Sequence, residues 1–128
     1  MKYLVLHLID KLNDLKNVAV VGAGFVGTAH AAFLSRFYNT VVLLDRDEEL
    51  VRTLSKGQIP FSTSDPDLLK LFRDNVLSEK ILPTTDSDSL SNADIVFISV
   101  GLDFYEERNG FDNLKALFIK IGSVVKSG

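Results

Sequence analysis

The chain has no cysteine, no tryptophan and three prolines among its 128 residues. Without cysteine it can form no disulfide, no thiolate metal site and no cysteine nucleophile. Its 14 basic residues are scattered and the formal net charge is −3, so a basic footprint for nucleic acid is missing. The apolar opening segment stops at Asp10 and Lys11, far short of the roughly 18 apolar residues that span a bilayer, and no cleavage-site pattern follows it. We expect a cytoplasmic protein that binds neither nucleic acid nor membrane.

What the chain does contain is ordinary for a soluble globular protein: 46% hydrophobic and 24% charged residues. A chain of this length is one domain or part of one, and it should bury roughly two thirds of its unfolded surface. It shows no internal repeat, low-complexity tract or linker. Function must therefore be sought in local motifs.

The most informative motif is a glycine pattern between an apolar run and a helix-like run. Gly22, Gly24 and Gly27 have the G-x-G-x-x-G spacing, directly after Val18–Val21. Such a pattern allows a tight turn, close approach of the backbone to a pyrophosphate, and close packing of the helix on the sheet. The helix N-terminus then offers unpaired N–H groups to the phosphates. The motif predicts a dinucleotide site.

An acidic residue follows the next apolar run at the position that this site requires. Asp45 ends the run Thr40–Leu44 and lies 18 residues beyond Gly27, where a carboxylate can accept the ribose hydroxyls of adenosine. A carboxylate there repels a 2′-phosphate, so NAD is favoured over NADP. The neighbouring Arg46 is a further candidate for cofactor contact, and a solvated surface arginine is the alternative.

Strand-like and helix-like segments alternate along the chain, which predicts a Rossmann-type α/β fold with a parallel sheet covered by helices on both faces. Right-handed crossovers favour the strand order 3-2-1-4. We divide the chain into an N-terminal amphipathic helix extension, 1–17, and an NAD-binding domain, 18–128, cut short after the fourth strand and its following helix. The predicted strands are Val18–Val21, Thr40–Leu44, Ile81–Thr85 and Ile95–Val100. The predicted helices cover 4–16, Phe25–Phe37, Glu48–Lys56, a segment starting at Asp65-Pro66, and Asp112–Val125.

Two apolar segments, the N-terminal helix and the fourth strand, each need a surface to pack against. Leu4, Leu8, Leu12 and Leu15 recur at helical spacing. Packing of this helix on the domain's own surface is favoured, and binding to a partner is the alternative. The fourth strand should be a buried parallel strand whose outer edge lacks a neighbour, which is a pairing liability. We expect self-association, a homo-oligomer, or cover by the N-terminal helix.

From Val18 to Gly128 the sequence resembles the N-terminal NAD-binding domain of the UDP-glucose/GDP-mannose dehydrogenases. The segments that carry the resemblance are Val20–Gly27, Leu43–Asp45 with the acidic helix start after it, Leu54–Pro60, Leu68–Leu71, Thr84–Asp86 and Ala93–Gly101. The stretch Asp103–Asp112, with its aromatic loop and Phe-Asp pair, is most similar to the UDP-glucose branch.

The resemblance implies oxidation of a nucleotide-sugar primary alcohol to a carboxylate by two hydride transfers to NAD, within polysaccharide biosynthesis. It implies contacts to the pyrophosphate from Gly22, Gly24, Phe25, Val26 and Gly27, and to the adenosine ribose from Asp45. It places Val100 and Gly101 on the nicotinamide side. The family's nucleophilic cysteine and its lysine and aspartate partners lie in later domains. The chain thus holds no catalytic residue, and the sugar nucleotide would bind only with those domains.

Three positions depart from the family pattern. Leu50 stands where a lysine or arginine is frequent, a role that Arg46 can take. Leu102-Asp103 replaces the Thr-Pro pair after the fourth strand, and Phe61–Ser64 lacks the glutamate of a Tyr-Glu-Pro-Gly segment. No substrate role is therefore carried over to Phe61–Ser64.

Two other function classes share the fingerprint. One is a nucleotide-sensing regulatory module, such as the Rossmann-like gating domains of ion-transport proteins. The other is the N-terminal domain of another NAD(P)-dependent dehydrogenase, of the hydroxyacid or 6-phosphogluconate type. Thr84–Asp86 and the Asp103–Asp112 loop argue against the second class.

Several polar residues outside the motif have structural interpretations that we prefer. His30, one turn from the glycine loop, is expected to be a half-buried packing residue, not a catalytic or phosphate-binding one. Asp86, Asp88 and Asp94 flank a turn and a helix end and suit capping better than metal binding. Thr84 and Thr85 end a strand and suggest turn chemistry. Acidic residues at 103, 106 and 107 suggest a solvated loop, with a substrate lid as the alternative.

Overall fold

Four short runs of apolar, mostly β-branched residues form the strands, and helices connect them. The computed structural model describes residues 1–14, 16–101 and 107–125, and the side chains of these ranges except 12–14 and 107–111. The strands are β1 (Asn17–Val21), β2 (Thr40–Leu44), β3 (Ile81–Thr84) and β4 (Ile95–Ile98). The α-helices are α1 (Lys2–Asp14), α2 (Phe25–Leu34), α3 (Glu48–Leu54), α4 (Pro66–Leu77) and α5 (Glu107–Val124), and a 3₁₀-helix covers Ser87–Asn92.

The strands form one parallel sheet in the order β3-β2-β1-β4. In its central register, Val20 lies opposite Leu43 on β2 and Phe97 on β4. The order and the Rossmann-type fold that the sequence predicts are confirmed. Because the strands are parallel, their carboxyl ends meet at one edge, and the loops after β1, β2 and β4 come together there.

Alternate residues of β1 serve two separate apolar layers. Val18 and Val20 face a layer that includes Ala31 of α2 and Phe72 of α4. Ala19 and Val21 face the other layer, which includes Ile121 of α5. Since a strand exposes successive side chains to opposite faces, this two-sided burial explains why β1 reads as one continuous apolar run. Helices cover both faces, as predicted.

Short polar side chains fix the starts of the surface helices. Asp47 accepts hydrogen bonds from the N–H groups of Glu49 and Leu50 at 3.0 Å, and Asp65 caps α4 in the same way. Gly57, beyond the end of α3, has φ of +75°, a backbone conformation that glycine adopts without strain. The predicted starts of these two helices are confirmed.

Several element ends differ from the predicted ones. Helix α2 ends at Leu34 instead of Phe37, because Arg36 and Phe37 bond to carbonyls three residues back and form a tight turn. Helix α3 stops two residues early at Leu54 for the same reason. Strand β3 ends at Thr84 and β4 at Ile98. Helix α5 begins at Glu107, so the expected loop to Gly110 is partly helical. The acidic loop residues 103 and 106, and the Leu102-Asp103 departure, lie outside the described residues.

Two expectations about cover were wrong. Strand β4 is half-buried over Ile95–Ile98, because it forms the edge of the described sheet and pairs with one strand, β1. Over the side chains that the structure describes, helix α1 does not pack on the domain: every residue from Met1 to Lys11 is exposed, including Leu4 and Leu8. The side chains of Leu12 and Leu15 lie outside the described residues. The exposed residues 1–11 therefore give β4 no cover in this structure, and self-association stays a prediction. None of the described helices is long and apolar enough to cross a membrane.

Candidate functional site

The turn after β1 brings the backbone of the glycine loop against β4. Gly22 has φ of +99°, and a Cβ added there would lie 2.8 Å from the carbonyl carbon of Ser99 and overlap its oxygen. The Gly22 N–H donates to the carbonyl of Leu44 at 2.8 Å, which ties the turn to β2 as well. Position 22 therefore accepts only glycine, for both conformational and steric reasons.

The third glycine brings α2 onto the loop. A Cβ on Gly27 would overlap the carbonyl oxygen of Gly22 and lie 2.9 Å from its carbon. One residue later, the hydroxyl of Thr28 donates to the carbonyl of Ala23 at 3.0 Å, with Thr28 only 1% exposed. The loop and the first turn of α2 are thus locked together, and buried polar groups find partners.

The middle glycine faces open space. Gly24 is the N-cap of the 10-residue helix α2, with φ of −65°, and a Cβ there would have no heavy atom within 4 Å. No side chain caps the helix at this position. The first-turn N–H groups of Phe25, Val26 and Gly27 have no partner within the helix, which makes this end suited to an anion. The loop is therefore tightly packed against the protein at Gly22 and Gly27 and open to solvent at Gly24.

The carboxylate of Asp45 joins the loop to the turn after β2. One oxygen accepts from the N–H of Ala23 at 2.8 Å, and the other accepts from the N–H of Asp47 at 3.0 Å. An ionised carboxylate has about four acceptor positions, so each oxygen keeps capacity for a hydroxyl donor. Asp45 therefore orients the loop and remains able to bind a ribose.

A cleft of about 590 Å³ opens at the carboxyl edge of the sheet, in the size range of small-molecule sites. Six of the predicted site residues line it: Gly22, Gly24, Asp45, Arg46, Val100 and Gly101. The other three do not: Gly27 is buried under the loop, and the side chains of Phe25 and Val26 are exposed at the start of α2. For Phe25 and Val26, only the backbone remains a candidate for phosphate contact.

The cleft also has walls that the sequence analysis did not assign. Thr85, Ser87 and Leu90 line it from the segment after β3, and Ser99 lines it from the end of β4. Helix α5 adds Asn113, Leu114, Leu117, Lys120 and Ile121. Thr84 behaves as expected of a turn residue, since its hydroxyl accepts from the Asp86 N–H at 3.0 Å, but Thr85 belongs to the cleft. The helical spacing of 113, 117, 120 and 121 was the available signal for the α5 wall.

The remaining polar candidates have structural partners. His30 is half-buried, with its ring centroid 4.7 Å from that of Phe97 in an edge-on arrangement, as expected of a packing residue. Asp86 caps the 3₁₀-helix. Asp94 accepts from the N–H groups of Asn17 and Lys16, both at 2.9 Å, and these bonds hold the pKa of its carboxyl below the usual value. Over the described ranges, no three metal-ligating side chains lie together.

The residues present fit a dinucleotide. An open N-cap glycine and a carboxylate with spare acceptor positions line one cleft, and the uncommitted first-turn amides of α2 follow directly after that glycine. This is the arrangement that a pyrophosphate and its adjoining ribose require.

Comparison with known proteins gives the same answer. Residues 16–127 match the model of the UDP-glucose/GDP-mannose dehydrogenase family, NAD binding domain. UDP-glucose 6-dehydrogenase TuaD of Bacillus subtilis is 38% identical over 88 residues, covering 68% of this chain and 19% of that protein. UDP-glucose 6-dehydrogenase of Rhizobium meliloti is 36% identical over 85 residues, covering 66% and 19%. The chain thus spans about a fifth of the length of these relatives.

Solved structures show the same fold. NDP-N-acetyl-D-galactosaminuronic acid dehydrogenase of Methanosarcina mazei superposes with a TM-score of 0.76 at 21% identity, over 92% of this chain and 27% of that one. GDP-mannose dehydrogenase of Pseudomonas aeruginosa, solved as a ternary complex, gives 0.72 at 23% identity, over 84% and 24%. The family match covers nearly the whole chain, with α1 outside it: this chain belongs to the UDP-glucose/GDP-mannose dehydrogenase family and carries the fold of its NAD-binding domain.

Proposed function

We propose that this chain is the NAD-binding part of a nucleotide-sugar dehydrogenase that oxidises the primary alcohol of a UDP-sugar, UDP-glucose first, to the carboxylate in two hydride transfers. Bound NAD supplies the hydride acceptor. The residues of this chain bind and orient it: the loop from Gly22 to Gly27 holds the pyrophosphate, and Asp45 holds the adenosine ribose. Val100 and Gly101 border the nicotinamide end. The sugar nucleotide and the catalytic groups belong to domains outside these 128 residues.

The observation that carries the proposal is the difference among the three motif glycines. Two of them are required by the fold itself, because a side chain would collide with backbone. Gly24 is not, because a Cβ there would meet nothing within 4 Å. A glycine that the folded chain does not need, at an uncapped helix start beside the cleft, is explained by a ligand that approaches the backbone closely.

The substrate class is supported by the relatives. UDP-glucose 6-dehydrogenases from several bacteria match at 30 to 38% identity, and the TuaD match alone covers 68% of this chain. These likenesses favour a UDP-sugar over the substrates of hydroxyacid-type dehydrogenases.

The test is titration of the 128-residue chain with NAD, comparing the wild type with Gly24→Ala. We expect Gly24→Ala to leave the melting temperature within about 2 °C of wild type, since its φ suits alanine and its Cβ meets no atom. Its Cβ enters the space that the phosphates need, so NAD affinity should fall at least about tenfold, or about 1.4 kcal/mol.

A second variant and a control complete the experiment. Asp45→Asn removes the charge but keeps one acceptor oxygen. It should lower the affinity for NAD more than the affinity for 2′,3′-dideoxy-ADP, because that analogue lacks the ribose hydroxyls that Asp45 would bind. Glu49→Gln removes one negative charge, as Asp45→Asn does, but at an exposed position of α3, and it should leave NAD binding unchanged. Equal NAD affinity in wild type and Gly24→Ala, both folded, would contradict the proposed site.

Cofactor choice can be measured on the same samples. The carboxylate of Asp45 should repel the 2′-phosphate of NADP, and the exposed Arg46 beside it offers partial compensation. We expect NAD to bind more tightly than NADP in the wild type, and the ratio to narrow in Asp45→Asn. A tighter dissociation constant for NADP in the wild type would overturn this assignment.

A further inference from the structure

Two positively charged side chains line the cleft, and they come from separate parts of the fold. Among the described residues that line it, three carry charge: Asp45, Arg46 and Lys120. Asp45 and Arg46 follow β2, next to the glycine loop. Lys120 comes from α5, which covers the opposite face of the sheet from α2.

Helix α5 is anchored so that Lys120 stays beside the cleft. Ile121, its neighbour, is 8% exposed within the apolar layer that contains Val21 and Leu44, and Leu117 packs against the same layer. Residues 117 and 121 are one turn apart, so Lys120 lies at the border of the buried stripe. A lysine at such a border can lay its apolar stem along the wall and hold its ammonium group at the opening.

Another lysine of the same helix provides a built-in comparison. Lys115 is also exposed on α5, but it does not line the cleft. The two lysines carry the same charge, lie on the same helix and are both exposed. Any difference between them in ligand binding therefore reports position and not overall charge.

We propose that Lys120 binds a phosphate oxygen of the dinucleotide from the α5 wall of the cleft, in addition to the N-terminus of α2. This inference rests on the proposed function and adds a residue that the glycine motif does not contain. The dinucleotide's two phosphates carry two negative charges, and the α2 N-terminus supplies about half a positive charge. An ammonium group from the other layer of the fold offsets a large part of the remaining negative charge.

The size of the effect follows from the geometry. Lys120 is exposed, so solvent and salt screen its attraction to phosphate. We expect Lys120→Ala to weaken NAD and ADP-ribose roughly three- to tenfold at low salt, with the loss shrinking as ionic strength rises. Adenosine, which lacks phosphate, should bind the variant and the wild type equally.

The experiment is an NMR titration of the whole chain with NAD, ADP-ribose and adenosine, which also resolves weak binding. Lys120→Ala is compared with Lys115→Ala as the matched control, and Lys120→Arg should restore phosphate affinity because it keeps the charge. Thermal unfolding of each variant is measured alongside. The expected result is a loss in Lys120→Ala alone, confined to the two phosphate-bearing ligands.

Other results overturn the inference in distinct ways. Equal weakening by Lys120→Ala and Lys115→Ala would mean that only overall charge matters. A loss that extends to adenosine and accompanies a lower melting temperature would mean that Lys120 acts through the packing of α5. If the wild type binds NAD but Lys120→Ala is unchanged, the inference alone fails; if the folded wild type binds no NAD, the proposed function fails first.

Discussion

Helices α1 and α2 show opposite outcomes for apolar helical sequences in one chain. Helix α2 buries Gly27, Thr28, Ala31, Ala32 and Leu34 against the sheet and the glycine loop. Helix α1 has leucines at helical spacing, yet residues 1–11 are all exposed. The amphipathic pattern is clearer in α1, but α2 is the one that packs.

The difference lies in side-chain size and in attachment. The small residues of α2 let its backbone approach the sheet closely, and both of its ends are fixed, by the loop from β1 and by the turn into β2. Helix α1 is joined to the sheet at one end, where Asp94 receives the N–H groups of Lys16 and Asn17. An apolar stripe thus predicts that a helix can be buried, while the available surface decides whether it is.

The largest effect is expected from Gly27→Ala, which should prevent the close packing that distinguishes α2 from α1. The added methyl group collides with the Gly22 carbonyl, which is backbone and cannot turn aside. We expect destabilisation of about 4 kcal/mol or more, or failure to fold, measured by urea unfolding. Gly122→Ala in α5 is the control: its Cβ meets nothing within 4 Å, and alanine should stabilise the helix by up to about 1 kcal/mol. Similar stability of the two variants would contradict tight packing of Gly27 against the glycine loop.

A smaller loss is expected from Thr28→Val. The change keeps the side chain's shape but removes the hydroxyl donor, leaving the Ala23 carbonyl without this bond in a buried place. We expect a cost of about 1–2 kcal/mol in the free energy of unfolding. Thr53→Val, whose hydroxyl bonds to a carbonyl at an exposed site, should cost less. A larger loss at Thr53 would mean that burial does not govern the effect.

The contact of Asp94 with the backbone between α1 and β1 should contribute less to stability at acid pH. Backbone N–H donors, Asn17 first and then Lys16, lower the pKa of the Asp94 carboxyl, so its contribution to stability is present above about pH 4 and is lost as the pH falls through the lowered pKa. Asp94→Asn should therefore show a shallower loss of stability between about pH 4 and 2 than wild type, in urea unfolding at several pH values. Parallel curves for the two proteins would exclude this role.

The smallest effect on stability is expected in α1. Leu4→Ser with Leu8→Ser should change the free energy of unfolding by less than about 0.5 kcal/mol, because both side chains are exposed. Sedimentation of the same variant tests the predicted self-association. A self-associating wild type that becomes monomeric on this substitution would give α1 a partner-binding role; a large loss of stability in the monomer would show that α1 packs on the domain after all.

Much of the candidate site followed from spacing alone. The glycine pattern and Asp45 sit on elements joined by short connections, so local chemistry and the right-handed crossover bring them to one edge of the sheet. Lys120, Thr85 and Ser99 were not identified, because no short motif links them to the glycine loop. They reach the cleft through strand pairing and through the packing of α5, and both depend on contacts between distant parts of the chain.

The amino-acid sequence alone accounts for the caps at Asp47 and Asp65, the stop at Gly57 and the tight turn at Gly22, because each depends on the backbone preferences of a few adjacent residues. It also predicts the strand order, because crossover connections between parallel strands are right-handed. The tertiary structure controls which apolar surfaces find a partner. It leaves residues 1–11 exposed and β4 half-buried, and it places Lys120 at the cleft. Burial requires a complementary surface within reach, and that is a property of the assembled layers, not of any single segment.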